Sequence, residues 1–193
     1  MTNLAKLKSD RAQDAELRQM RVDLAAAFRL AAAMNWHESV GNHFSLAVSP
    51  DGKKFLMNPR WKHFSLIRAS DLLLLDSEDP ETMTRANAPD PSAWCIHGRI
   101  HALVPSARCV LHAHPAYATA LAGLADPEIK PIDQNTARFY KRVAYDLGYE
   151  GMANSDAEGN RLAAHIGNHK TMMMGNHGVL IAAASVAEAF DEL

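Results

Sequence analysis

The 193-residue sequence predicts an α/β fold in which helices cover both faces of a mixed sheet. Helical and strand-like segments alternate along the chain, and two pairs of strand-like segments are joined by short turns, which is typical of antiparallel neighbours. The composition is that of a soluble globular domain, with 48% hydrophobic and 22% charged residues. The formal net charge of −2, without a basic stripe, argues against nucleic acid as a partner, and no apolar run is long enough to cross a membrane.

The N-terminal half predicts two helices and three strands. Apolar side chains recur at helical spacing from Leu17 to Ala31, whereas the first 14 or so residues are polar and expected to be loose. Alternating residues, a Ser-Pro-Asp-Gly turn and a buried run of four leucines predict the strands. Pro91 suits a first helical turn, and Pro105 stops that helix. The expected bounds are 16–35 and 91–103 for the helices, 42–49, 54–58 and 71–76 for the strands, and 77–90 for a surface loop.

The C-terminal half repeats this alternation. Pro115 ends an apolar strand, and Ser155 and Ser185 suit helix N-caps, with Glu188 in capping-box position after the second serine. Two apolar runs flank the turn Asn176-His177-Gly178 and predict a hairpin. The expected bounds are 107–114, 142–145, 171–174 and 179–183 for the strands, 116–123, 156–168 and 186–193 for the helices, and 126–135 for a loop.

We expect a single domain over residues 1–193. The chain stops about two turns into its final helix, so we expect a native C-terminal segment to be missing. Cys95 and Cys109 form no motif and lie in apolar stretches, which indicates buried free thiols in a reducing compartment. Because the N-terminus also lacks the apolar core of a signal peptide, we expect a cytoplasmic protein.

Three histidines predict a metal site. His112 and His114 flank one residue at a strand end, and alternate residues of a strand point to the same side, so both imidazoles can reach one ion. His177 offers a third imidazole in the turn between two apolar runs. Three neutral imidazoles with an open position are the ligand set of a catalytic divalent metal.

Two other patterns have simpler interpretations. His97 and His101 are four residues apart and share a helix face, but they lack the internal glutamate of a metalloprotease helix, so we interpret them as hydrogen-bonded core histidines. Gly41 and Asn42 precede a strand and can bind an oxyanion, although composition alone favours a simple turn. The sequence contains no Walker loop, GxGxxG or GxSxG motif, which leaves phosphotransfer, dinucleotide binding and serine hydrolysis without support.

The order and spacing of these motifs resemble the class II aldolase/adducin family, from about Asp23 to the C-terminus. The histidine pair on a strand followed by a distant His-Gly turn is the most specific part of this likeness. The matching segments are 41–46, 55–59, 69–76, 92–97, 109–114, 176–180 and 188–189.

The resemblance implies a three-layer α/β/α sandwich with a mostly antiparallel central sheet. It also implies one divalent metal ion per chain, with zinc favoured and manganese or iron as alternatives, held by His112, His114 and His177. In the aldolases the site lies near a subunit boundary of a tetramer and is closed by a neighbour's C-terminal segment. We therefore expect a homo-oligomer, with a tetramer favoured, and a small-molecule substrate.

Two departures from the aldolase pattern change the expected chemistry. Ala93 stands where the aldolases have their acid/base glutamate, and general acid–base catalysis is typically worth about 10²–10⁴ in rate. After Pro59, Arg60-Trp61 replaces the Thr-Gly pair of the phosphate loop, and Trp61 should obstruct backbone approach to a phosphate. Only Ser92 remains of the two serines that flank the phosphate in the family. Arg60 instead suits a carboxylate.

We predict a divalent-metal-dependent lyase that cleaves a C–C bond of a small hydroxy or keto carboxylate through a metal-stabilised enolate. Decarboxylation is favoured over retro-aldol cleavage, because it needs no proton removed before the bond breaks. Gly41, Asn42, Arg60 and Ser92 are the expected substrate-binding residues. Whether His97, Tyr140 or Tyr145 replaces the missing glutamate stays open.

Two alternatives remain. The adducin head domain has this fold without catalysis, so a non-catalytic assembly module is one, although a retired site has no need of three convergent imidazoles. The other is a non-haem iron oxygenase that uses the same three histidines.

Overall fold

A seven-stranded mixed sheet forms the centre of the structure, a computed structural model that describes residues 3–148 and 155–193, with side chains from Asp10 onward. The strand order is β3-β2-β1-β4-β7-β6-β5, and every neighbouring pair is antiparallel except β5 and β6. The strands are β1 His43–Ala47, β2 Lys54–Met57, β3 Leu73–Asp76, β4 Cys109–Ala113, β5 Val143–Asp146, β6 Thr171–Met174 and β7 Gly178–Ala183.

Helices cover both faces of the sheet and make it the middle layer of an α/β/α sandwich. The helices are α1 Asn3–Ala33, α2 Pro91–Leu103, α3 Ala116–Ala122, α4 Gln134–Ala137, α5 Asp156–Ile166 and α6 Val186–Glu192. α1 and α6 bury Phe28 and Ala189 against one face, together with Leu111 of β4. α2 and α5 bury Ile100 and Leu162 against the other face. The predicted fold class is therefore confirmed.

Local signals explain why these segments form. Ser155 and Ser185 accept hydrogen bonds from the backbone N–H groups of Glu158 and Glu188, which caps α5 and α6 as expected. The hairpin between β1 and β2 turns at Gly52, whose φ of +75° suits glycine. In the described part of the chain, no helix is long and apolar enough to cross a membrane.

Three expectations need correction. α1 begins at Asn3 rather than near residue 16, since its polar N-terminal residues include good helix formers; Met1 and Thr2 lie outside the described residues. α4 interrupts the C-terminal end of the expected loop, because Asp133 caps it through the backbone N–H of Thr136. The leucine run forms an edge strand, so Leu74 stays 47% exposed instead of buried.

Candidate metal centre

The three predicted histidines meet at one edge of the sheet. His112 lies in β4, His114 directly follows that strand, and His177 directly precedes β7. β4 and β7 are antiparallel neighbours, which brings their adjoining ends together. One ligand nitrogen from each ring lies within 4.8 Å of the others, and the ring centroids are 4.6–4.9 Å apart.

Two of these imidazoles are oriented by hydrogen bonds at their far nitrogens. His112 donates from Nδ1 to the carbonyl of Val179 at 3.0 Å, and His114 donates from Nδ1 to a carboxylate oxygen of Glu38 at 2.6 Å. With Nδ1 as the donor, each ring can present an Nε2 lone pair to a metal ion, and these Nε2 atoms are 3.0 Å apart. Two facing lone pairs repel each other unless a cation lies between them, so the donor set fits a metal ion.

The electrostatics also favour neutral, ligand-competent rings. Burial is the main cause that holds the pKa of His112 well below its usual value, and the neighbouring histidines lower it further. Burial, followed by the charge of His114, lowers the pKa of His177 to about 4. The rings of His112 and His177 are thus neutral at neutral pH, as metal coordination requires.

The glycine that follows the third histidine, Gly178, lies where a side chain would not fit. A Cβ at this position would lie 2.6 Å from Cδ2 of the His114 ring and 2.7 Å from the Ala113 carbonyl oxygen. The turn before it is fixed by backbone hydrogen bonds, in which Gly175 donates to Asp146 and Asn176 donates to Ala122. Glycine therefore permits the close approach that puts all three rings at one point.

Asn42 connects the metal centre to the loop before β1. Its buried carboxamide oxygen accepts hydrogen bonds from the backbone N–H groups of Glu38, at 2.7 Å, and His114, at 3.3 Å. Its Nδ2 has no hydrogen-bond partner among the described residues, so a donor remains for a ligand. The N–H of Gly41 donates to the carbonyl of Glu38 at 3.0 Å.

A match to the model of a known protein family decides the family of this chain. The model described as the class II aldolase and adducin N-terminal domain matches residues 22–193. The chain belongs to the class II aldolase/adducin family.

Similar proteins of known sequence or structure agree with this family. A Pseudomonas aeruginosa protein named for the aldolase class 2 family is 33% identical over 172 residues, which cover 89% of this chain and 65% of the relative. An aldolase II superfamily protein from Pseudomonas syringae is 36% identical with a TM-score of 0.80, over 91% of this chain and 69% of that one. An L-fuculose 1-phosphate aldolase from Glaciozyma antarctica, 22% identical over 92% of this chain and 69% of that one, shares the fold with a TM-score of 0.77.

The chain thus spans about two thirds of the length of such curated relatives. More distant relatives carry different activities in their names. Decarboxylase NovR from Streptomyces niveus is 28% identical over 69% of this chain and 48% of its own. A 4-hydroxy-3-prenylphenylpyruvate oxygenase/4-hydroxy-3-prenylbenzoate synthase from Streptomyces roseochromogenus is 28% identical over 69% of this chain and 47% of its own.

In this class II aldolase/adducin domain, the start of α2 has no glutamate at the position expected from the aldolases. Ala93 is only 1% exposed and carries no proton. Asp90 caps the helix by accepting from the N–H groups of Ser92 and Ala93. The hydroxyl of Ser92 donates to the same carboxylate at 2.6 Å, so its proton is already engaged.

Arg60 lies outside the histidine cluster. Its guanidinium lies 4.9 Å from the ring centre of Trp61, which is 70% exposed and has a φ of +63°. This left-handed backbone conformation is uncommon for a bulky residue and is typical of functional loops. The structure therefore gives this loop an exposed cation beside an exposed aromatic ring.

The three candidate replacements for the glutamate have different surroundings. The hydroxyl of Tyr145 accepts a hydrogen bond from the backbone N–H of Ile129, and Tyr140 is half-exposed. His97 is fully buried and hydrogen-bonded to His43, as expected of a core histidine, and it is not part of the metal cluster.

Sequence reasoning missed Glu38 and His43. His43 and Ser45 form a polar alternation inside an otherwise apolar strand, while His97 and His101 share one face of a helix. Together these two patterns were a signal that a polar sheet face meets a polar helix face. Glu38 gave no such signal, because it lies in an irregular loop.

Proposed function

We propose that this protein is a divalent-metal-dependent lyase that cleaves a C–C bond in a small hydroxy or keto carboxylate, preferably by decarboxylation. One observation carries the proposal: the Nε2 atoms of His112 and His114 face each other at 3.0 Å, with His177 beside them. Three converging imidazole nitrogens suit a cation with an open position. Zinc is the proposed metal, with manganese and iron as alternatives.

Each part of the site has a proposed task. His112, His114 and His177 hold the ion, which when bound supplies Lewis-acid stabilisation to the oxygen that gains negative charge. The unpaired Nδ2 of Asn42 donates to the substrate. Arg60 and Ser92 are proposed to bind its carboxylate end, Ser92 after its hydroxyl turns from Asp90 to the substrate.

The missing glutamate favours decarboxylation within this proposal. Retro-aldol cleavage needs a base for a hydroxyl proton, and Ala93 supplies none. Loss of carbon dioxide requires no earlier proton removal. The relative named as a decarboxylase gives independent support for this choice.

Metal content is the first test. The protein purified without added metal should contain about one zinc, manganese or iron ion per chain by elemental mass spectrometry, and His177→Ala should lose it because one of three ligands is gone. The exposed His165 provides the matched control, since His165→Ala removes a histidine on α5 and should retain the metal. Metal-free protein, even after soaking, would favour a non-catalytic assembly module like the adducin head domain.

Turnover is the second test. Metal-loaded protein is incubated with a panel of small hydroxy and keto acids, and release of carbon dioxide or an aldehyde is measured. His112→Ala should abolish the release, while His165→Ala should not change it. If the fully metallated protein releases neither product from any member of the panel, the lyase proposal fails.

An iron oxygenase is the second candidate function, because one relative is named as an oxygenase. The same three imidazoles accept ferrous iron. Oxygen consumption by the iron-loaded protein, absent from the zinc-loaded protein, would favour this candidate. We also propose that the protein is a homo-oligomer, with a tetramer favoured. The free thiols Cys95 and Cys109 fit a reducing compartment, so the proposed location is the cytoplasm.

A further inference from the structure

A line of buried polar side chains runs from the interior toward the metal centre. His101 contacts the carbonyl of Ala107 through Nδ1 at 2.7 Å and the hydroxyl of Ser45 through Nε2 at 2.7 Å. The same hydroxyl contacts Nδ1 of His97, whose Nε2 contacts Nδ1 of His43 at 2.7 Å. All four side chains are at most 4% exposed, so solvent does not compete for these bonds.

The backbone carbonyl at the inner end sets the direction of every hydrogen bond in this line. A carbonyl only accepts, so His101 donates from Nδ1, and its Nε2 accepts because burial keeps the ring neutral by lowering its pKa to about 4. Ser45 has one proton and donates it to His101, so its oxygen must accept from Nδ1 of His97. Burial also keeps His97 neutral by lowering its pKa, and its Nε2 therefore accepts from Nδ1 of His43.

His43 is thereby left with an unprotonated Nε2. No described residue donates a hydrogen bond to this atom, so its lone pair is available to a molecule bound beside it. The ring lies beside the metal centre, because His43 pairs with His112 across β1 and β4 and the two ring centroids are 4.7 Å apart.

His43 does not belong to the ligand cluster itself. The described groups whose ligand atoms converge within 4.8 Å are His112, His114 and His177. The Nε2 of His43 is therefore suited to a hydrogen bond with a molecule bound beside these ligands rather than to coordination. A lone pair at this place selects a ligand that carries a hydroxyl or water proton.

We propose that His43 is the hydrogen-bond acceptor for the 2-hydroxyl of a 2-hydroxy-3-keto carboxylate bound at the metal, whose 3-carbonyl oxygen takes up the electron pair when carbon dioxide leaves, and that His97, Ser45 and His101 are positioning residues that hold it in the Nδ1–H form. This inference rests on the proposed function for the presence of a substrate at the metal. It narrows the substrate class, since a 2-keto acid has no hydroxyl proton to donate there.

The tautomer of His43 is tested without any substrate. Long-range ¹H–¹⁵N spectra of the 193-residue protein report which nitrogen of each imidazole carries a proton, and His43→Asn identifies the His43 signals. We expect a proton on Nδ1 and none on Nε2. Ser45→Ala should break the line and produce a mixture of tautomers at His43, an effect that simple loss of packing does not cause. A protonated Nε2 in the wild-type protein overturns the proposal.

The substrate class is tested by binding. Glycolate and methoxyacetate differ in that the second has a methyl group in place of the hydroxyl proton, and calorimetry on the zinc-loaded protein gives both affinities. His43→Asn keeps a donor for His97 but removes the Nε2 acceptor. We expect the preference of the wild type for glycolate to fall about five-fold in this variant, with unchanged zinc content. An unchanged preference contradicts the acceptor role of His43.

These experiments separate two kinds of failure. Loss of zinc from His43→Asn would mean that His43 is a ligand, which overturns the acceptor role but leaves a metal site. A wild-type protein that binds zinc but not glycolate overturns the substrate class. If the protein binds no metal, the proposed function fails, and the spectra still decide the tautomer.

Discussion

Each imidazole ligand is useful only if one particular nitrogen faces the metal, and single hydrogen bonds decide this. His112 is held by the Val179 carbonyl and His114 by the carboxylate of Glu38. Glu38 is itself 69% exposed, so its geometry depends on the loop, which the hydrogen bond from its N–H to Asn42 fixes. Carboxylates in this position fix the tautomer of a ligand and increase its basicity.

Replacement of Glu38 should therefore weaken metal binding without removing a ligand. We expect Glu38→Ala to lower zinc affinity by about 10–100-fold, measured by competition with a chromophoric chelator. Glu38→Gln should have a smaller effect, because its amide oxygen still accepts from His114. Glu128→Gln, which removes a charge from an exposed ion pair with Lys130, is the control. Equal zinc affinity in all three variants would mean that Glu38 does not orient the ligand.

At the scale of elements, the contact between α2 and α5 holds the helix that carries His97 against the sheet. Gly159 of α5 makes this contact close. A Cβ there would lie 2.3 Å from the Cys95 carbonyl oxygen and 2.7 Å from Cγ of Arg99. A backbone atom cannot move aside as a flexible side chain does, so the two helices would have to separate.

Gly159→Ala should accordingly destabilise the protein by about 1–3 kcal/mol in the free energy of unfolding, measured by urea denaturation. Gly123→Ala is the matched control, because a Cβ there would meet atoms no closer than 3.5 Å and its φ of −84° suits any residue. A Gly159→Ala protein as stable as the control would show that the two helices have room to adjust.

At the scale of the whole molecule, the buried histidines make stability depend on pH. Burial lowers the pKa of His43 to about 3 and of His101 to about 4, from an ordinary 6.5. Below pH 6.5 these histidines therefore bind protons in the unfolded chain but stay neutral in the folded protein. The stability is fully present above that pH and decreases as the pH falls toward 4.

Urea denaturation of the chelator-treated protein at pH 7, 6 and 5 measures this loss. Each such histidine should lower the free energy of unfolding by up to about 1.4 kcal/mol per pH unit once the pH is well below 6.5. Carboxylates with lowered pKa values, such as that of Asp71, also contribute to the stability of the folded protein, and this contribution is lost only at more acidic pH. The slope should be smaller in His43→Phe. A free energy of unfolding that stays constant from pH 7 to 5 would contradict neutral burial of these rings.

Features that depend on neighbours along the chain could be predicted from the sequence alone. Alternation puts His112 and His114 on one side of a strand, and serines mark the starts of α5 and α6. These features have periods of two or 3.6 residues or lie within one helical turn, so they can be recognised in the sequence without knowledge of the fold. The family motifs are legible for the same reason, because each is short and continuous.

Which distant segments meet became clear only in the folded protein. The register of β1 against β4 puts His43 opposite His112, and the loop before β1 brings Glu38 to His114. A shift of one residue in that register would turn His43 to the other face of the sheet. Register depends on the packing of both faces at once, and no local pattern carries that information. The sequence therefore predicted the three histidines that meet at the candidate metal centre, whereas the groups that orient them emerged only from the folded chain.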